Sequence, residues 1–223
     1  MNLPRLYPII DLACFAAAAD PALAAARFAE ALLDGGARLI QLRDKAGDMR
    51  RFLSCARELR RVTRGRAVFI INDRADLAIA ADADGVHLGQ DDLSPEAVRK
   101  IFAGVSTTST TSIKSPSPSP ELIIGFSTHN LDQVRRAGAL PIDYLAVGPV
   151  FATASKANPD PVIGLDGVRQ ARAATTRPLV AIGGITRKNC RQVMEAGAHS
   201  VAVISDLLDS PAKAVEQFLS ILG

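Results

Sequence analysis

Short runs of aliphatic and β-branched residues alternate along the chain with longer stretches in which Ala and Leu recur at helical spacing. The runs expected as strands are Leu6–Ile10, Leu39–Leu42, Val68–Ile71, Gly85–Leu88, Leu122–Phe126, Tyr144–Val147, Leu179–Ile182 and Ser200–Ile204. The stretches expected as helices are 21–34, 48–62, 74–81, 94–103, 130–138, 166–174, 187–196 and 211–221. Ser94-Pro95 and Ser210-Pro211 read as helix starts, because Pro suits the first turn and a Ser hydroxyl can cap it. Gly35, Gly138 and Gly197 read as helix stops. Such alternation implies parallel strands joined by helical crossovers. Eight regular units favour a closed (β/α)8 TIM barrel, one domain over residues 1–223, rather than an open doubly wound sheet. No GxGxxG follows the first strand, which weighs against dinucleotide binding.

One segment breaks the rhythm. In Ser106–Pro120 every residue except Ile113 and Lys114 is Ser, Thr or Pro. Such a segment has no apolar face to bury, so it is expected to be a flexible loop before the fifth strand, away from the active rim. An inert insertion is the expectation, with phosphorylation as the alternative.

Composition narrows the class. The chain has 223 residues, 48% of them hydrophobic, and no Trp, so its core is aliphatic. A net charge of +3 is too small to imply nucleic acid. The basic cluster Arg57, Arg60, Arg61, Arg64 and Arg66 lies at helical spacing without aromatics and reads as a solvated helix face. Cys14, Cys55 and Cys190 are isolated, forming neither a disulfide framework nor a metal motif. No apolar run is long enough to span a membrane, and Asp11 interrupts the Ala-rich start that resembles a signal peptide. A cytoplasmic protein is expected, with its oligomeric state open, a homo-oligomer included.

In a barrel of this kind, chemistry gathers where strands end and helices begin. Those ends carry Gln41, Arg43 and Lys45, then Asn72 and Asp73, then Gln90 and Asp92. Ser127, Thr128 and His129 follow the fifth strand; Gly148, Thr153, Ser155 and Lys156 follow the sixth. Gly183, Gly184 and Ser205 close the series. Cations, carboxylates and hydroxyls on one rim suit a multiply charged anion with a metal ion. Asp73 and Asp92 end neighbouring strands, and two carboxylates beside a phosphate need a cation between them. Mg²⁺ fits, since it takes one or two carboxylates plus phosphate oxygens and water. The bland alternative makes Asp73 a helix cap and Asp92 a loop residue, while Asp91 is expected to point elsewhere. Gly183 and Gly184 would let backbone N–H groups approach a phosphate, or would simply form a tight turn. His87 and His199 read as structural, and His129 as able to face the site.

The strand-end segments "QLRDK", "INDRAD", "GVHLGQDD", "IGFSTHN", "DYLAVGPVFATASK", "AIGGIT" and "VAVIS" resemble, in order, the signatures of the thiamine phosphate synthase family. The resemblance runs from Leu6 to about Leu207. It implies a Mg²⁺-dependent transferase that joins a hydroxymethylpyrimidine diphosphate to a thiazole phosphate and releases pyrophosphate. It also implies that Gln41, Arg43, Lys45, Asn72 and Lys156 contact the pyrimidine diphosphate, with Ser127 near its phosphates. Lys156, Ser127 and Arg43 would be the catalytic residues. Thr153, Ser155, Gly183, Gly184, Ile204 and Ser205 would hold the thiazole phosphate, and Asp73 and Asp92 the metal. Ser155 stands where the family often has Thr, keeping the hydroxyl. The alternatives are a thiazole tautomerase-like isomerase of the same superfamily, a Schiff-base aldolase, and a non-catalytic barrel that binds phosphate ligands.

Replacing Ser106–Pro120 by a short Gly/Ser connector is expected to leave turnover within roughly threefold, as for tolerant surface loops. Steady-state rates of the two proteins check this; a collapse with the fold intact would mean that the segment reaches the site.

Overall fold

The computed structural model describes residues 2–45, 47–107, 122–153 and 160–223, with backbone alone at 104–107. The strands are β1 (Leu6–Asp11), β2 (Leu39–Arg43), β3 (Val68–Asn72), β4 (Gly85–Leu88), β5 (Ile123–Thr128), β6 (Tyr144–Val147), β7 (Leu179–Ile182) and β8 (Ser200–Val203). Each pairs in parallel with the next, and β8 returns to β1 through Leu6↔Val201, Tyr7↔Ala202 and Pro8↔Val203. The sheet is therefore a closed barrel, as the alternating pattern predicts.

The helices outside it are α1 (Pro21–Asp34), α2 (Met49–Thr63), α3 (Ala75–Ala80), α4 (Pro95–Thr107), α5 (Leu131–Ala137), α6 (Gly164–Ala174), α7 (Cys190–Glu195) and α8 (Pro211–Leu222). Side-chain caps start several of them. Asp20 accepts from the Leu23 N–H at 3.0 Å, Asp48 from Arg51 at 3.1 Å, Ser94 from Ala97 at 3.2 Å and Asn130 from Gln133 at 2.9 Å. Each satisfies one of the first-turn donors that a helix leaves free. Ser210 corrects the pattern. Its backbone is left-handed (φ 52°) and its side chain makes no capping bond, so Pro211 alone sets that helix start. Helix α4 also runs on to Thr107, so Ser106 and Thr107 are helical rather than loop. The remainder of the Ser/Thr/Pro segment lies outside the described residues.

Two apolar layers hold the barrel. The larger lies between strands and helices and takes Ile40, Leu42, Phe69, Ile71, Val86, Leu88, Leu145 and Val147 among others. The smaller fills the barrel itself with Tyr7, Ile9, Leu39, Ile70, Tyr144, Ala146, Val180 and Ala202. Successive strand residues alternate between these layers, since a strand's side chains point to opposite faces. The five-arginine cluster is only partly a solvated helix face. Arg61, Arg64 and Arg66 are exposed and pair with Glu58, Asp82 and Asp34, but Arg64 and Arg66 lie beyond the end of α2, and Arg60 is mostly covered and pairs with Asp84. Among the described residues no helix is long and apolar enough to cross a membrane.

One row across the barrel needs a missing side chain. The register aligns His87, Gly125 and Tyr144 on β4, β5 and β6. The two rings stack across the glycine with centroids 5.5 Å apart and an interplanar angle of 26°. A Cβ at position 125 would overlap both the Tyr144 ring edge and His87 Nδ1. Gly125→Ala is therefore expected to lower stability by about 1–3 kcal/mol, the usual cost of overpacking. Thermal unfolding should show a Tm drop of roughly 2–12 °C; an unchanged Tm would mean the rings part freely.

Candidate active site

Strand alternation decides which side chains meet inside the barrel. Leu39 faces inward, so Gln41 and Arg43, two and four residues on, do so too; Ile70 likewise aims Asn72 inward. The same phase carries Asp11 on β1, His87 on β4 and Ser127 on β5. Gln41, Arg43, Asn72, His87 and Ser127 thereby reach one cavity of about 560 Å³ at the C-terminal mouth of the barrel. Its lining includes Gln41, Arg43, Lys45, Asn72, Asp73, Asp92, Ser127, Thr153, Gly183, Gly184, Ile204 and Ser205. Every described candidate from the sequence except Thr128 is thus gathered in a single space. Thr128, in the opposite strand phase to Ser127, is buried and donates to Ala146 O at 2.8 Å. Ser155 and Lys156 lie outside the described residues. Ile9, Ala146, Val180 and Ala202 form the floor, where the small Ala side chains leave volume for a ligand.

The cations at the mouth are held by carboxylates. Arg43 pairs with Asp11, its register partner across β1 and β2. Asp11 is buried at 7% exposure and also accepts from the Ala13 N–H at 3.0 Å, which fixes its carboxylate. Lys45 Nζ lies 2.5 Å from Asp73 Oδ2. Between them in sequence, Asp44 turns away and pairs with Arg51 at 2.9 Å, anchoring the loop on α2.

Asp73 is not a helix cap. It sits in the left-handed region at φ 62°, and Arg74 takes the position before α3 without a side-chain capping bond. A non-glycine residue there is uncommon, although Asp tolerates it better than most. The turn aims the carboxylate at Lys45 and toward Asp92. Asp92 accepts from the Gly89 N–H at 2.7 Å. Burial pushes its carboxyl above the ordinary range and the neighbouring Asp73 adds to this, against the opposing Gly89 hydrogen bond. Among the described residues no group of three or more His, Cys, Asp or Glu is assembled for a metal. Two close carboxylates could supply part of the hard oxygen shell that a cation such as Mg²⁺ takes. Asp91 corrects an expectation: it too borders the cavity, from an exposed position.

On the opposite wall, Gly183 (φ 104°) and Gly184 (φ 63°) form the turn after β7. A Cβ on either would collide with the loop after β6, at Pro149 and at Ala152 O respectively. The glycines are required for loop packing as well as for any approach to a phosphate. Asn189 locks the turn, donating to Gly184 O at 3.0 Å and accepting from Thr186 N at 2.8 Å. Ile204 and Ser205 enter a short 3-10 turn beside it.

Several contributors escaped the sequence reading. Asp11 is one; its only signal is that it shares the inward phase of Tyr7 and Ile9. Tyr7 and Tyr144 look like ordinary core aromatics, yet their hydroxyls meet at 2.8 Å inside the barrel. Gln90 donates to Ser127 O at 2.5 Å and holds that strand end. His87 is buried with both ring nitrogens bonded, to Tyr144 Oη and Ser127 Oγ, and burial pushes its pKa down to about 4. His129 lines the cavity, with Nδ1 3.0 Å from Gly148 O and 3.4 Å from Asp160. His199 is structural, its Nδ1 accepting from Leu179 N at 3.0 Å.

Comparison with known proteins finds relatives over nearly the whole chain. The family model described as thiamine monophosphate synthase matches residues 12–207. A thiamine-phosphate synthase of Koribacter versatilis is 51% identical over 223 residues, covering 100% of this chain and 97% of that protein. One from Vibrio parahaemolyticus is 37% identical over 85% of this chain and 87% of its own length. The solved thiamine phosphate pyrophosphorylase of Pyrococcus furiosus superposes with a TM-score of 0.78 at 32% identity, covering 98% of this chain and 95% of that one. The barrel, the polar mouth and these likenesses lead to one conclusion: the chain belongs to the thiamine monophosphate synthase family.

Proposed function

We propose that the cavity joins a hydroxymethylpyrimidine diphosphate to a thiazole phosphate, giving thiamine phosphate and pyrophosphate. The observation that carries this reading is the division of one cavity into two anion-ready walls. Arg43, Lys45, Asp73 and Asp92 line one, and Gly183, Gly184, Ile204 and Ser205 the other. The first has the charge for a diphosphate and its metal. The second has the backbone turn and helical start that suit a monophosphate. Gln41 on the floor would face the pyrimidine ring, with Asn72 beside the diphosphate.

The bond changes ask for stabilisation and placement. The carbon–oxygen bond to the diphosphate breaks, the leaving pyrophosphate keeps the electron pair, and the electron-rich aminopyrimidine carries the positive charge. The thiazole nitrogen then gives its lone pair to that carbon. Arg43, Lys45 and Lys156 would offset the charge growing on the leaving group, and Ser127 would donate a hydrogen bond to it. Thr153 and Ser155 would hold the thiazole phosphate in line for attack. Asp73 and Asp92 would hold Mg²⁺, which when bound neutralises diphosphate oxygens. The apolar floor of Ile9, Ala146 and Val180 would keep water from capturing the cation. A cytoplasmic location accords with three free cysteines, Cys14, Cys55 and Cys190.

Asp73→Ala and Asp92→Ala are expected to lower the coupling rate about 10²–10³-fold, the usual cost of one preorganised electrostatic contact. Both should stay folded by circular dichroism, since a rim carboxylate supports little packing. Asp91→Ala should be nearly silent. The check is thiamine phosphate formation against Mg²⁺ concentration; wild-type metal dependence in Asp73→Ala and Asp92→Ala would remove the metal assignment. Absence of product from pure wild-type protein with both substrates would overturn the reaction itself.

A further inference from the structure

Ser127 ends a hydrogen-bonded chain that crosses the barrel interior. Gln41 Nε2 lies 2.9 Å from Tyr7 Oη, and Tyr7 Oη lies 2.8 Å from Tyr144 Oη. Tyr144 Oη is 3.0 Å from His87 Nδ1, and His87 Nε2 is 2.8 Å from Ser127 Oγ. Gln41, Tyr7, Tyr144 and His87 are all buried, and only Ser127 borders the cavity more openly.

A buried chain of this kind has a direction, because each donor needs an acceptor. Gln41 Nε2 can only donate, so Tyr7 Oη accepts from it. Tyr7 must then give its one proton to Tyr144, its other partner. Tyr144 in turn gives its proton to His87 Nδ1. His87 is thereby set as the Nε2–H tautomer and donates to Ser127 Oγ. Ser127 accepts from below, which leaves its own proton to point into the cavity. In the reverse direction Tyr7 would accept twice and its buried proton would be stranded.

We propose that Tyr144, acting through His87, is a positioning residue that presents Ser127 as a hydrogen-bond donor to the departing diphosphate. The proposal rests on the reaction assigned above. The aligned row His87–Gly125–Tyr144 supports it, since a glycine between the rings is what lets Tyr144 Oη reach Nδ1. Without the Tyr144 hydroxyl, either tautomer of His87 becomes available, and Ser127 divides its proton between the imidazole and the substrate.

Two measurements test this. In the first, Tyr144→Phe should lower kcat roughly 10–100-fold while KM for the pyrimidine diphosphate stays within about threefold. In a Ser127→Ala background the same change should alter kcat less than about twofold, because the chain acts through Ser127. Losses that multiply in the double variant, or full activity in Tyr144→Phe, would overturn the proposal. In the second, imidazole ¹⁵N resonances of the wild-type protein, assigned with His129→Asn and His199→Asn, should show His87 bare at Nδ1 and protonated at Nε2. A protonated Nδ1 would overturn it even if Tyr144→Phe failed to fold. The spectrum is independent of turnover, so an inactive wild type would refute the reaction while leaving the tautomer to be judged alone.

Discussion

Closure of the sheet between β8 and β1 is the constraint on which everything else depends. A closed barrel has no edge, so each strand residue faces either the helices or the interior. A one-residue slip in any strand would exchange the two sets. Arg43 would then enter the helix layer and Leu42 the cavity. The aliphatic residues that fix each strand's phase, such as Ile40 and Leu42 or Ile71 and Phe69, therefore also decide where the charged groups point. Core packing and site assembly are one event in this fold.

Within that frame the mouth is organised by charge pairs set before any ligand arrives. Asp11 holds Arg43, Asp73 holds Lys45, and Asp44 holds Arg51. The pairs differ in kind. Lys45 is 59% exposed, so its pairing is weak. Asp11 is buried and also tied to the backbone, so Arg43 stays where it is. One cation is held firmly and the other loosely, which under the proposed reaction would suit capture and later release of a diphosphate.

The alternating apolar runs make the barrel legible in the sequence, because a period of two and a period of 3.6 are distinct over these lengths. Strand ends are less legible. Asp11, Arg43, Asn72, Ser127 and Thr128 lie one or two residues beyond the predicted ends, yet all are in strands. Their polarity reads as loop because hydrophobicity cannot distinguish a polar residue facing a cavity from one facing solvent. The candidate list was legible through strand-end position and family resemblance together. The Asp11 pairing and the Tyr7–Tyr144–His87 chain were not, since both depend on register between strands far apart in sequence. Asp73 shows a third limit: a left-handed backbone at a carboxylate follows from the turn it must make, which no propensity reveals.

The separation of the two apolar layers bears on how such a barrel can change over time. Helices contact the outward-facing half of each strand, and the reaction chamber is built from the inward half. Substitutions that refit α1 to α8 against the strands can accumulate without touching the chamber. A lineage moving to a hotter or colder habitat thus has a shell to adjust and a chemistry to keep, inherited on alternate residues of the same eight strands.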